Sequence, residues 1–342
     1  IFLLHRARCY KPLMNRSKKA IKNRFLPTFV IILLLTAVVL IRTPNTNRDD
    51  MLDKYGNQYS GFIHGESRLN VHYRDQGKQD GRPIVFLHGS SGSLHVFEPL
   101  IEQIGGGYRF ISYDHPGHGL TGPHPANDYS YEGYAQALDL VRSRLQVDHF
   151  ILVGHSMGGW IAWRYAVDHP EALEALILIC ASGMPAREKD PIPELSLGQQ
   201  LMQTGFGRWL SEYTMPRSMI ERSTQAAIYD DDIVTNELVD QFWELMRYPG
   251  NRQAFSIRSQ LGRDSDLAHL ANSIEAPTLL VWGDKDTFVL PSAASTFSER
   301  IRQSEIVLLP DVGHLPMLEA PVDTKAAIEQ FLDANLGSGS NP

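Results

Sequence analysis

Six short apolar runs recur along the chain: Pro83–His88, Tyr108–Tyr113, His149–Gly154, Leu173–Cys180, Pro277–Trp282 and Glu305–Leu309. Helical stretches separate several of them. Tyr131–Leu145 sets Ala135, Leu138 and Val141 on one face, and Gly158–Val167 and Thr324–Phe331 have similar spacing. Uninterrupted apolar runs of this length suit strands buried on both faces. Strands alternating with helices imply an α/β fold with a mostly parallel central sheet, right-handed crossovers and flanking helices.

The alternation breaks once. From Gly183 to about Ala271 there is no buried-strand run, but Phe206, Trp209, Leu210, Tyr213, Phe242, Trp243 and Met246 stand in a mostly helical polar background. The interval is too long for a plain connection and predicts a helical cap over the sheet. Its aromatics suggest an apolar pocket roof. Residues 59–336 then form the α/β domain, with Gly337–Pro342 as a frayed tail.

Charge divides the chain differently. Residues 1–48 hold ten Lys and Arg and no acid, and the remaining 22 basic against 39 acidic residues leave the body at −17. Phosphate binding needs clustered Lys and Arg, so an acidic body argues against a nucleic-acid partner. Residues 25–41, FLPTFVIILLLTAVVLI, carry no charge across 17 positions. As a helix they reach about 25 Å, near the short end of a bilayer span. Arg16, Lys18, Lys19, Lys22 and Arg24 crowd the N-terminal side. Such flanks stay cytoplasmic. We therefore expect a basic cytoplasmic segment at 1–24, an uncleaved transmembrane signal anchor at 25–41, a polar linker at 42–58 and an exported, periplasmic or extracytoplasmic domain. The run ends without a small-x-small cleavage site. Two cysteines, Cys9 and Cys180, cannot form a disulfide framework, and Cys180 ends an apolar run as a buried small hydrophobe.

The strand expected at 149–154 runs into Gly154-His155-Ser156-Met157-Gly158 and then into a helix. G-x-S-x-G between strand and helix is a nucleophile elbow. The serine sits in a strained turn, and small residues at 154 and 158 let neighbouring backbone pass close by. The following helix points its free N–H groups at the site.

With that elbow the chain resembles the α/β-hydrolase family, and further motifs match. Leu87-His88-Gly89-Ser90-Ser91-Gly92 is similar to the HG oxyanion loop. Asp114-His115-Pro116-Gly117-His118-Gly119 resembles a D-x-P-G-x-G turn. Trp282-Gly283-Asp284-Lys285-Asp286 resembles the W-G-x-x-D acid loop, and Asp311-Val312-Gly313-His314 with Glu319-Ala320-Pro321 resembles the catalytic-histidine loop. The resemblance spans about 59–335 and implies a triad of Ser156, Asp286 and His314, in the chain order this fold requires. His314 would take the serine proton and return it to the leaving group, while Asp286 fixes its tautomer. The N–H of Met157 and, by resemblance, of Ser90 would hold the oxyanion, with Ser91 as the alternative if the loop register differs. Family spacing favours Asp286 over Asp284, which reads as a solvated turn residue. His88 is expected to support the oxyanion loop, His155 to turn towards sheet or loops, and His115 and His118 to be turn structure.

Phe288 and Leu315, with the cap residues Trp209 and Trp243, are the candidate substrate contacts. They imply a small-molecule ester or acyl substrate. No metal-ligand spacing, phosphate loop or dinucleotide fingerprint is present, so neither metal nor cofactor is expected. Serine at 156 argues against the dehalogenases and epoxide hydrolases of this fold, which use aspartate. Leu315 argues against carbon–carbon bond hydrolases, which carry Trp after the histidine. G-H-S-M-G looks more like serine esterases and lipases, so ester hydrolysis through an acyl-enzyme is the expected activity. An amidase or peptidase, a carbon–carbon bond hydrolase, an acyltransferase or perhydrolase, and a non-catalytic binding member are the alternatives.

Overall fold

The computed structural model describes residues 29, 36, 42–65, 68–190, 200–201, 204–261 and 265–337. The chain divides into two compact units, Ile1–Thr43 and Pro44–Pro342. The second unit is built on eight strands: β1 (Ser60–His64), β2 (Asn70–Gly77), β3 (Arg82–Leu87), β4 (Tyr108–Tyr113), β5 (Phe150–His155), β6 (Leu173–Ile179), β7 (Thr278–Gly283) and β8 (Ser304–Leu309). They form one sheet in the order β1-β2-β4-β3-β5-β6-β7-β8. β1–β2 and β2–β4 pair antiparallel, and every other pair is parallel.

Each apolar run of the sequence became a strand. β5 and β7 are buried at every position, as expected of strands covered on both faces. β1 and β2 escaped sequence reading because they are polar and only partly buried. Helices α2 (Glu98–Gln103), α3 (Tyr131–Arg144) and α4 (Met157–Asp168) flank the sheet with the C-terminal α9 (Pro321–Leu336). Ser130 caps α3 by accepting the Gly133 N–H at 3.2 Å, which fixes where that helix begins.

Between β6 and β7 the described residues contain no strand. They form α5 (Gly205–Tyr213), α6 (Arg217–Ala227), α7 (Asn236–Met246) and α8 (Asn251–Arg258). These helices fall within the interval 183–271, where a helical cap is expected from the sequence. β6 and β7 are parallel neighbours in the sheet, so the insertion leaves at the C-terminal edge of β6 and crosses to the opposite edge of the sheet before β7 begins.

The linker expectation for 42–58 is corrected. Arg48–Tyr55 forms a helix, α1, whose N-cap Asn47 accepts the N–H groups of Asp49 and Asp50. Met51 and Tyr55 are buried with Leu120, Leu245 and Tyr248. Tyr55 Oη and Lys54 Nζ each lie 2.6 Å from Glu244 of α7, and Thr46 N–H donates to the Arg247 carbonyl at 3.1 Å. Arg74 of β2 donates to the Tyr55 carbonyl at 2.6 Å. Polar composition concealed a strap that uses its polar atoms to bridge the sheet and α7.

Among the described residues no helix is long and apolar enough to cross a membrane. The anchor expected at 25–41 lies outside the described residues apart from Phe29 and Thr36, as do the segment 1–24 and the tail beyond Gly337.

Candidate active site

Ser156 follows β5 and caps α4 with φ 52° and ψ −113°. A non-glycine residue held at positive φ is strained, and its neighbours must enforce it. They do: Ser156 N–H donates to the Ile179 carbonyl at 3.1 Å, and its own carbonyl accepts from Ser182 N–H at 3.0 Å. Gly158 lets the turn sit against β3, since a Cβ there would lie 2.1 Å from the Leu87 carbonyl oxygen. Met157 is the first residue of α4, so its N–H has no intrahelical acceptor and lies at the positive end of the helix dipole.

The oxyanion loop lies beside the elbow. A Cβ on Gly89 would come within 3.0 Å of Ser156 Cβ. His88 Nε2 accepts the His115 N–H at 3.0 Å, which leaves Nδ1–H to donate to the Gly89 carbonyl at 2.8 Å. Ser91 takes φ 63°, and the Ser90 hydroxyl accepts from Arg258 of α8 at 2.5 Å. A cap arginine thus grips the residue expected to present the second amide.

The turn after β4 is structural. Asp114 is fully buried and accepts from His72 Nδ1, Leu94 N–H and Leu120 N–H, each at 2.8 Å. Burial works to raise its carboxyl, but the His72 hydrogen bond and surrounding imidazoles outweigh that and hold it far below the usual carboxylate range. His115 and His118 are buried in the same turn, and burial lowers both imidazoles far below 6.5.

Asp286 and His314 meet. The imidazole Nδ1–H donates to Asp286 Oδ2 at 2.8 Å, and Asp286 Oδ1 accepts the N–H groups of Phe288 at 2.8 Å and Val289 at 3.0 Å. Both are buried, at 3% and 6% exposure. Phe288 stacks on the imidazole with centroids 5.2 Å apart and is itself half exposed. Asp284 is more than a solvated turn residue. It accepts the Asp311 N–H at 2.7 Å, joining the acid loop to the histidine loop.

Glu319 sets the histidine loop. Its carboxylate accepts from Gly313 N–H at 2.9 Å, Leu315 N–H at 3.1 Å and Tyr229 N–H at 2.8 Å. His314 N–H donates to the Ala227 carbonyl at the end of α6, at 2.6 Å. The cap therefore supports the loop directly. Leu315 is buried in the core, at 7% exposure.

The expected cap contacts divide. Trp243 Nε1–H donates to the Met215 carbonyl at 2.8 Å, and Arg247 lies 4.0 Å over its ring. The first contact binds two cap segments to each other. Trp209 is 40% exposed, in a ladder between Phe206 and Tyr213.

Sequence reading missed two contacts. His155 Nε2–H donates to the His314 carbonyl at 2.8 Å, and the Cys180 sulfur lies within 4.8 Å of the Asp286 carboxylate. Neither has a local sequence signal, because the partners lie more than a hundred residues away.

Comparisons agree with this architecture. The model of the alpha/beta hydrolase fold family matches residues 82–321. The chain belongs to that family. Among curated relatives, a 2-hydroxy-6-oxononadienedioate/2-hydroxy-6-oxononatrienedioate hydrolase of Pseudomonas sp. is 31% identical over 233 residues, covering 66% of this chain and 78% of the relative. Lipase 3 of Moraxella sp. (strain TA144) is 26% identical over 275 residues, covering 76% of this chain and 80% of the relative. Among solved structures, a membrane phospholipase A described as a bacterial virulence factor superposes with a TM-score of 0.68 at 22% identity, covering 94% of this chain and all of that one.

Proposed function

We propose that this α/β hydrolase cleaves carboxylic esters through an acyl-enzyme, with Ser156 as nucleophile, His314 as general base and acid, and Asp286 as the orienting carboxylate. The observation that carries the reading is the buried 2.8 Å hydrogen bond from His314 Nδ1 to Asp286, in the family fold that holds Ser156 on a strained elbow. Because Nδ1 carries the proton, Nε2 is the basic nitrogen. It takes the Ser156 proton as Oγ attacks the ester carbonyl, and Asp286 stabilises the imidazolium. The Met157 and Ser90 amides receive the oxyanion; losing one such donor costs roughly 3 kcal/mol in comparable sites. Nε2 then protonates the departing alcohol, and water repeats the sequence in reverse. Phe288, stacked on the imidazole, supplies apolar wall beside the histidine.

A carbon–carbon bond hydrolase is the second reading, motivated by the Pseudomonas relative. Leu315 after the histidine favours the ester. The test pairs p-nitrophenyl esters of increasing acyl length with a vinylogous 1,5-diketone. A p-nitrophenol burst lost in Ser156→Ala supports the ester reading. Cleavage of the diketone alone overturns it.

The domain is tethered to a membrane through residues 25–41 and faces the extracytoplasmic side. The uncharged run with its one-sided basic flank supports this, as does a likeness to a membrane phospholipase A that covers 94% of the chain. A C-terminal fusion reporter active only outside the cytoplasm is expected; a cytoplasmic signal contradicts it.

A further inference from the structure

The mechanism above does not use Cys180. It is fully buried, as its apolar run predicts, but it follows β6 with φ 46°, in the left-handed region. Such a conformation costs a non-glycine residue about 1–2 kcal/mol. The thiol is not simply packed among hydrocarbon. It faces the Asp286 carboxylate. Donor atoms of Cys180, Asp286 and His314 all lie within 4.8 Å of one another, and all three residues are buried.

The geometry points to a second property of this centre: Cys180 Sγ, the Asp286 carboxylate and the His314 imidazole form a site for a thiophilic divalent cation such as Zn²⁺, whose binding shuts the hydrolase off. Sulfur, nitrogen and oxygen donors together are a set that zinc accepts. Zinc–ligand lengths of about 2.0–2.3 Å put tetrahedral ligand atoms roughly 3.3–3.8 Å apart. No two of the three donor atoms therefore stand more than about 1–1.5 Å beyond that spacing. Thiolate and carboxylate together balance the charge of the cation, which a buried ion requires. The sequence offers no metal motif because the donors sit at 180, 286 and 314 and only the sheet assembles them.

Protons and electrons balance without a redox step. The Cys180 S–H bond breaks, and its proton goes to solvent. The His314 Nδ1 proton relocates to Nε2, and the freed Nδ1 lone pair binds the cation. With Nε2 protonated, His314 no longer accepts the Ser156 proton, so ester attack stops. The inhibition rests on the proposed role of His314; the binding of the cation does not.

The experiment uses the full chain, metal-free, with Co²⁺ as spectroscopic probe and Zn²⁺ as inhibitor. Wild type should develop a thiolate-to-cobalt charge-transfer band in the near ultraviolet, and Cys180→Ser and Cys180→Ala should lack it. Zn²⁺ should inhibit ester hydrolysis reversibly, with EDTA restoring the rate. Each variant, normalised to its own metal-free rate, should need at least tenfold more Zn²⁺. A wild type without the cobalt–thiolate band overturns the site whether or not the variants fold. A band that persists in Cys180→Ser, or equal zinc sensitivity, also overturns it. Cobalt–thiolate binding in a protein without esterase activity leaves the site standing and removes the functional reading instead.

Discussion

His155 Nε2–H donates to the backbone carbonyl of His314 at 2.8 Å, so the residue before the nucleophile holds the loop of the base. The rings lie 4.8 Å apart. Burial, reinforced by the neighbouring His314, pushes the His155 imidazole far below 6.5 and keeps it a neutral donor. Placement errors near an ångström cost about 10²-fold in rate. His155→Ala is expected to lower kcat by about 10- to 100-fold with KM little changed. Steady-state kinetics on a p-nitrophenyl ester test this, and an unchanged kcat would mean that the brace is dispensable.

The two aspartates of the acid loop should separate cleanly. Asp286→Asn keeps the shape but offers an amide where His314 needs an acceptor, so kcat should fall about 10⁴-fold. Asp284→Asn loosens an exposed loop contact and should cost less than about tenfold, an effect worth about 1 kcal/mol. Comparable losses in both would reassign the acid.

The elbow depends on close approach. Adding a methyl at Gly158 brings it 2.1 Å from the Leu87 carbonyl oxygen, which is backbone and cannot swing away. Gly158→Ala should destabilise the domain by about 2–3 kcal/mol, the cost typical of overpacking. Urea melts of the two proteins give the difference directly.

Acid should weaken the fold well before carboxylates protonate. His88, His115, His118 and His155 are each lowered chiefly by burial, and burial pushes His95 down to about 4. An unfolded imidazole takes a proton near pH 6.5 while the folded one does not, so the unfolded state binds more protons below that pH. This stability is complete above about 6.5 and is lost as pH falls, for His95 across the window down to about 4. Asp114 adds a loss below its ordinary 3.8, because its folded carboxyl is held further down. Each histidine contributes a slope of up to about 1.4 kcal/mol per pH unit. Thermal melts between pH 7.5 and 4.5 should show Tm falling continuously, with a shallower fall in His95→Gln. A flat profile would contradict the assignment of neutral buried imidazoles.

The strap offers a further check. Tyr55 Oη lies 2.6 Å from Glu244 Oε2, joining α1 to α7. Tyr55→Phe should cost about 1 kcal/mol of stability, measured by denaturant titration.

The parallel half of this fold was legible because hydrophobic runs such as 150–155 are buried on both faces and carry no other reading. β1 and β2 were not, because half-buried strands with Arg74 and Asp75 on them look like loop. α1 was hidden for the same reason: it is a polar helix whose contacts, with Glu244 and Arg74 and in the cluster of Leu120, Leu245 and Tyr248, are with partners distant in sequence. At the site, Ser156, Asp286 and His314 stood in local motifs with the family's chain order. The contacts of His155, Cys180 and Arg258 were not legible, since their partners are fixed by sheet order and cap docking. Trp243, read as pocket lining, also ties two cap segments together through its indole N–H, a contact with no local signal.

The most direct measurement is to label the full chain with a fluorophosphonate and map the adduct by peptide mass spectrometry. The account predicts one adduct, on the peptide carrying Ser156, absent in Ser156→Ala and strongly slowed in His314→Ala. An adduct on another residue, or equal labelling of Ser156→Ala, would contradict it.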